Sequence, residues 1–106
     1  MMMDPELKQK WIDALRSGKY QQARSQLRSG EGFCCLGVLC DITNTEISAV
    51  GSECIENGKI VGYEPIRKML GISHDGSDAP MRYLWNLNDD KKWSFEQIAD
   101  YIEGNL

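Results

Sequence analysis

The sequence predicts a small α+β domain, in which three to four helices pack with one or two β-hairpins. Two segments, 4–18 and 94–106, have apolar residues at helical spacing and favoured capping residues at their ends. An Asn-Gly pair at 57–58 is typical of a tight hairpin turn. Because 106 residues suffice for one hydrophobic core, we expect residues 1–106 to form a single domain.

The first helix is predicted to begin after Asp4 and to end at Gly18. Asp4 is a favoured N-cap residue, and Pro5 suits the first helical position. Glycine is common just after the last turn of a helix, which makes Gly18 a natural end. The apolar face is formed by Leu7, Trp11, Ala14 and Leu15.

The next segment, 20–28, allows two interpretations. In the first, residues 21–28 are extended, and a turn at 29–32 joins them as a hairpin to the stretch that follows. In the second, 20–28 is a short helix.

That following stretch, "GFCCLGVLCDI" at 32–42, contains three of the four cysteines. As a helix it would direct Cys34, Cys35 and Cys40 about 100 to 140° apart, and as a strand it would place Cys35 on the opposite face from the other two. Neither geometry provides the C-x-x-C chelate of structural zinc sites. Since the neighbouring residues are apolar, we expect the cysteines to be core residues, with no metal ion and no other cofactor.

The middle of the chain predicts a hairpin and a helix. The turn at 57–58 pairs Glu56 with Lys59 and Ile55 with Ile60 across the strands. A short helix follows at 65–71, ended by Gly71.

Two further segments complete the predicted elements. Residues 81–90 fit either a short helix or a strand, and we favour the helix. In the last helix Ser94 is the predicted N-cap, and Gln97 completes a capping box.

No motif predicts catalysis, and we expect no catalytic residues. The one histidine, His74, lies in a polar loop, where a solvent-exposed side chain is the common case. A cysteine-dependent enzyme, with His74 close to Cys54, is the third alternative for the function.

Charge and hydropathy exclude several partners. The net charge of −4 argues against binding along a nucleic-acid polymer, and no apolar run approaches the ~20 residues that cross a bilayer. The beginning of the chain lacks the apolar core of a secretion signal, so we expect a cytoplasmic protein.

The charge is unevenly distributed, because residues 1–30 carry six basic and three acidic side chains. The segment 16–28 therefore predicts a site for a small anionic, nucleotide-like ligand, or for an acidic patch on a protein partner. A solvated charged face explains the same pattern. The candidate ligand-binding residues in this segment are Arg16, Lys19, Tyr20, Gln22, Arg24 and Arg28.

Three stretches, "KWIDALRSGKYQQARSQLRSGEGFCCLGVLCDI" at 10–42, "LND" at 87–89 and "SFEQIADYIE" at 94–103, resemble a family of small proteins encoded by tailed phages and prophages. Small accessory proteins of that setting often act by binding, including inhibitors of host immunity. The polar positions of the family pattern are occupied here by Tyr20, Gln22, Arg28, Asp41, Asn88 and Asp89.

The resemblance and the charge pattern together lead to one hypothesis and one alternative. We expect a non-enzymatic phage protein in the host cytoplasm that counters defence by sequestering a small anionic ligand, with Asn88 and Asp89 added to the candidate site. The alternative is an inhibitor or adaptor that binds a host protein. We also expect a homo-oligomer, because a small chain forms a deep pocket more easily between subunits.

Overall fold

A computed structural model describes residues 3–73 and 75–106, and in this part of the chain five helices pack with two three-stranded sheets, an α+β fold. The helices are α1 Pro5–Arg16, α2 Cys35–Ile42, α3 Glu64–Met69, α4 Ala79–Asp89 and α5 Phe95–Asn105. The strands are β1 Gln21–Gln22, β2 Arg28–Ser29, β3 Gly32–Phe33, β4 Glu46–Ile47, β5 Cys54–Glu56 and β6 Lys59–Gly62. The predicted fold class is confirmed.

Helices α1 and α5 begin at the predicted caps and pack against each other. The Asp4 carboxylate accepts a hydrogen bond from the Leu7 N–H at 2.9 Å. Ser94 and Gln97 form the complete capping box, in which each side chain bonds the other residue's backbone N–H. These contacts satisfy N–H groups that have no partner inside the helix, which explains why both starts could be predicted.

Helix α2 lies in the core and is enclosed from Cys35 to Cys40, whereas Asp41 is exposed. Every residue from Cys35 to Cys40 is buried, as is the N-cap residue Cys34. The cysteine stretch is thus helical from Cys35 to Ile42 and forms a strand only at Gly32–Phe33, and the prediction that its cysteines are core residues is confirmed. The indole N–H of Trp11 donates to the Cys35 carbonyl at 2.9 Å and links α1 to the start of α2.

The first sheet resolves the ambiguity of segment 20–28. Strands β2 and β3 form the predicted hairpin, with Arg28 opposite Phe33, and the helical interpretation of 20–28 is wrong. Only Gln21–Gln22 is extended before β2, and it pairs with β3 in parallel, which gives the order β1-β3-β2. This parallel contact involves only two pairs of residues. Such a short run has no periodicity from which the sequence could predict it.

The second sheet has the order β4-β5-β6. Its β5–β6 hairpin has the predicted register, with Glu56 opposite Lys59 and Ile55 opposite Ile60. Asn57 and Gly58 both have positive φ, as the two-residue turn requires. Strand β4 pairs with β5 in antiparallel fashion and was not predicted.

Helices α3 and α4 connect the second sheet to α5. Helix α3 ends as predicted at Gly71, where the Ile72 N–H donates to the Arg67 carbonyl and the Gly71 N–H to the Lys68 carbonyl, a Schellman motif. Segment 81–90 is helical, as we favoured, and its helix already begins at Ala79. The predictions for His74 fall outside the described residues. None of the helices in the described part of the chain is long and apolar enough to span a bilayer.

Helix α2 approaches the Leu27 carbonyl so closely at Gly37 that one added methyl group should lower the stability of the fold. A Cβ added at Gly37 in α2 would lie 1.8 Å from the Leu27 carbonyl oxygen, so Gly37→Ala must displace backbone. We expect a loss of about 2–3 kcal/mol in the free energy of unfolding, measured in urea. The matched control is Gly104→Ala in α5, where a Cβ meets no atom within 4 Å; it should gain up to about 1 kcal/mol. Equal effects of the two variants would contradict the packing described.

Candidate functional site

An open pocket of about 310 Å³ lies where the end of α4 meets loop 23–27 and the start of α2. We call it the α4 pocket. It is lined by Ser25, Gln26, Leu27, Cys34, Leu36, Tyr63, Trp85, Asp89 and Asp90.

The buried side chain of Asn88 holds the segments around this pocket together. Its Oδ1 accepts from the Gln22 side-chain amide at 2.9 Å and from the Cys35 N–H at 3.3 Å. Its Nδ2 donates to the Ala23 carbonyl and to Asp89 Oδ1, both at 2.8 Å. A side-chain amide has two donors and two acceptor positions, so all the hydrogen-bonding capacity of Asn88 is used.

A second contact fixes loop 23–27 over the end of α4. Asp89 Oδ1 also accepts from the Ser25 N–H at 2.9 Å. Ser25 has φ 72°, a left-handed conformation that costs a non-glycine residue about 1–3 kcal/mol. The carboxylate of Asp89 therefore stabilises a strained loop through its Oδ1.

Two aromatic rings form one wall of the α4 pocket. The centroids of Tyr63 and Trp85 lie 5.5 Å apart, with the ring planes inclined at 52°. Burial raises the pKa of Tyr63, so the phenol is neutral throughout the physiological range. The wall therefore consists of two uncharged aromatic side chains.

The thiol in the α4 pocket, Cys34, is held in its protonated form by burial. Burial raises its pKa to about 11, although the Gly37 N–H donates to its sulfur at 3.4 Å. Because the thiolate is the nucleophilic form, this cysteine lacks the activation that covalent catalysis needs.

The other thiols are also buried, and two of them face each other. The sulfurs of Cys40 and Cys54 lie 3.9 Å apart. This hydrogen bond, together with burial, raises the pKa of Cys40. In the described residues, no group of three or more His, Cys, Asp or Glu side chains is placed to hold a metal ion.

The predicted basic segment does not converge on one point. Arg16 extends to α5, where its guanidinium lies 2.6 Å from Asp100 and 3.3 Å from Glu103. Hydrogen bonds to these two carboxylates raise the pKa of Arg16. Lys19 and Arg24 are exposed, and their side chains make no ion pair with the described residues.

Arg28 lies at a different depression of about 410 Å³, which we call the Arg28 pocket. It is lined by Arg28, Phe33, Asp41, Asn44, Thr45, Glu46 and Ile47. At its edge the Tyr20 hydroxyl donates to Asp41 at 2.5 Å, and burial together with this bond raises the pKa of Tyr20 to about 12. Arg28 itself donates to the Ser48 carbonyl at 3.5 Å.

Three of the eight predicted ligand-binding residues therefore meet: Gln22, Asn88 and Asp89. Of these, Asp89 lines the α4 pocket, while Gln22 also donates to the Trp93 carbonyl and supports the structure behind it. The prediction of a ligand-binding role stays a prediction for all eight. The aromatic wall was missed, because half-buried rings at apolar positions are usual in a core.

The comparisons with known proteins give one match. A family model described as a domain of unknown function (DUF8296) matches residues 3–58, from the start of α1 to the β5–β6 turn. No curated protein and no solved structure matches the chain.

The hydrogen bonds of Asn88 predict a large cost for its removal. Asn88→Ala leaves the buried Cys35 N–H without its partner and opens a void, so we expect a loss of about 3 kcal/mol in the free energy of unfolding. The matched control is Asn86→Ala, which removes an exposed amide two residues earlier in α4 and should cost less than about 0.5 kcal/mol. A chemical unfolding curve for each variant tests this prediction. Similar midpoints for the two variants would contradict the stabilising role of Asn88.

Proposed function

The chain belongs to the DUF8296 family, and from the geometry of its sites we propose that it is a non-catalytic binding protein that inhibits or redirects a host protein. In this proposal the α4 pocket receives one side chain of the partner, and the surface around the pocket contacts the rest.

The observation that carries the proposal is a preformed pocket of side-chain size. Its volume of about 310 Å³ is at the lower end of the range for small-molecule sites, about 300–1,000 Å³, and the pocket is open. The bonds of Asn88 and Asp89 hold its walls, so binding requires little reorganisation. Anchoring one side chain in such a pocket is a common way for two proteins to bind.

An exposed apolar residue next to the α4 pocket supports a protein partner. Gln26, which lines the pocket, donates to the Val50 carbonyl at 3.1 Å, and the side chain of Val50 is 68% exposed. A partner seated over the pocket would bury this valine. Burial of apolar area contributes roughly 25 cal/mol per Å².

The absence of reactive chemistry in the pocket wall is consistent with binding. Cys34 is a protonated thiol, since burial raises its pKa to about 11. Tyr63 is likewise held in its neutral form.

The biological setting of the proposal comes from the resemblance to small phage and prophage proteins. We place the protein in the host cytoplasm, as an accessory protein that counters a host defence by occupying one of its components. Masking requires only affinity and a surface, which a domain of 106 residues provides.

The proposal predicts different effects for two exposed apolar residues. We expect Val50→Glu to abolish stoichiometric capture of a host protein from lysate by the immobilised protein, because the charge must be desolvated beside the α4 pocket. The matched control, Ile60→Glu on β6, changes a residue with 62% exposure away from the pocket lining and should capture the partner normally. Trp85→Ala, checked for folding by circular dichroism, should also lose capture. If Val50→Glu and Trp85→Ala both capture the partner as the wild type does, this surface is excluded as the binding site.

The second candidate is sequestration of a small anionic ligand, such as a nucleotide, by the basic segment. The observation in its favour is that Arg28 is half-buried in the Arg28 pocket beside Asn44 and Thr45, whose side chains can bond phosphate oxygens. Arg24, which is exposed and does not line the pocket, is included in this candidate as the other arginine of the segment. Asp41 and Glu46 line the same pocket and reduce its attraction for anions.

This second candidate is tested by calorimetry against a panel of linear and cyclic nucleotides. Arg24→Gln combined with Arg28→Gln should weaken binding at least tenfold, since each charge-assisted hydrogen bond contributes roughly 1.5–3 kcal/mol. The control, Lys10→Gln combined with Arg82→Gln, removes two exposed charges elsewhere and should bind as the wild type does. No heat of binding for any nucleotide at high micromolar concentration would eliminate the candidate.

A further inference from the structure

The α4 pocket has the chemistry of a cation site, and we propose that it binds the guanidinium or ammonium group of an arginine or lysine side chain of a protein partner. This inference rests on the proposed function and specifies the group that the pocket receives.

The charges at the pocket are all negative. Of its nine lining residues two are acidic, Asp89 and Asp90, and none is basic. Asp89 uses Oδ1 for the Ser25 N–H and the Asn88 amide, and its Oδ2 makes no hydrogen bond with the described residues. Asp90 is exposed and likewise has no side-chain partner within residues 3–73 and 75–106. Two carboxylates thus have oxygen atoms available for a donor.

The position at the end of α4 adds to this negative potential. Helix α4 has 11 residues and ends at Asp89, so the negative end of its dipole lies at the pocket, and its last turn contains no basic residue. The next cation in the chain, Lys91, extends to the Tyr83 ring, with its Nζ 5.9 Å from the ring centroid. Lys91 is therefore engaged by the Tyr83 ring, and no basic residue lines the pocket.

The aromatic wall supplies the second element of cation recognition. A guanidinium or ammonium group within about 6 Å of an indole or phenol ring is attracted by the π face. Trp85 and Tyr63 line the same pocket as the carboxylates, and their inclined rings form a corner. A planar guanidinium fits such a corner, because it can stack on one ring while its N–H groups point to a carboxylate.

The start of α2 is the one feature of the pocket that favours an anion, and two of its N–H groups already have partners within the protein. The positive end of α2 lies at the pocket floor, beside Cys34 and Leu36. Its Cys35 N–H donates to Asn88, and its Gly37 N–H donates to the Cys34 sulfur. An anion here would meet two carboxylates and few free donors. The balance of charge therefore selects a cation.

The test is an NMR titration of the folded protein with N-acetyl-arginine amide, and with its neutral analogue N-acetyl-citrulline amide. We expect saturable shifts of the Trp85 indole N–H and the Gln26 side-chain amide, with a dissociation constant of about 1 mM for the arginine probe. The citrulline probe should bind at least tenfold more weakly. Inorganic phosphate should leave these resonances unmoved.

Two double variants separate charge from shape. Asp89→Asn combined with Asp90→Asn keeps an oxygen acceptor for the Ser25 N–H and should weaken arginine binding at least tenfold. Asp90→Asn alone, at an exposed position, keeps the test usable if the double variant unfolds, and should weaken binding severalfold. The control, Glu6→Gln combined with Glu31→Gln, removes two exposed charges outside the pocket lining and should leave binding unchanged.

Each contrary outcome has a distinct meaning. Equal binding of citrulline and arginine, or phosphate shifting the Trp85 indole instead, overturns the cation site. Spermidine binding more than a hundredfold more tightly than the arginine probe overturns the assignment to a protein side chain in favour of a free polyamine. A host partner lost with Val50→Glu but retained by the Asp89/Asp90 variant refutes the cation site and keeps the proposed function. If the pocket binds the arginine probe but no host partner depends on Val50, the proposed function is refuted and the cation site is kept.

Discussion

The relative position of three chain segments depends on one buried amide, Asn88 in α4. Burial of a polar group is costly unless it is hydrogen-bonded, so the four bonds of Asn88 must all form together. They reach β1 through Gln22, the following loop through Ala23 and the start of α2 through Cys35. These contacts lie 53 to 66 residues from Asn88 in the sequence, and the α4 pocket is the space left where the segments meet α4. The constraint that stabilises the fold therefore also determines the shape of the pocket.

The cysteine stretch provides the packing around this network. Helix α2 is enclosed from Cys35 to Cys40, and Gly37 allows the Leu27 carbonyl to approach so closely that no side chain fits between them. Small residues suit such a position, and a thiol can also make weak hydrogen bonds, as Cys34 does in capping α2 and Cys35 in its 3.6 Å contact with the Leu84 carbonyl. A hydroxyl would cost more to bury. Packing and weak hydrogen bonds therefore account for the burial of these thiols.

Local signals predicted the parts of the fold that local chemistry determines. The caps at Asp4 and Ser94 and the turn at 57–58 involve residues at most three apart, and each formed as expected. The parallel contact of β1 with β3 and the pairing of Arg16 with Asp100 join residues far apart in sequence, so no spacing could indicate them. Asn88 and Asp89 entered the candidate site through the resemblance alone. The rings of Tyr63 and Trp85 could not be recognised as a pocket wall, because an aromatic side chain has the same pattern in a core.

The folded chain indicates a different kind of ligand from the one that the charge distribution of the sequence suggested. The basic segment suggested an anion site, yet its first arginine is paired with acidic residues of α5, and Arg28 lies at a separate pocket. Screening limits the reach of exposed charges to about 8 Å at physiological salt, so a ligand responds to its immediate neighbours rather than to the net charge of a segment. At the α4 pocket those neighbours are two carboxylates, two rings and the end of a helix. The carboxylates, the rings and the helix end all favour positive charge, and no basic residue lines the pocket. The ligand that this surface can bind is therefore determined by the groups at the pocket and not by the net charge of a sequence segment.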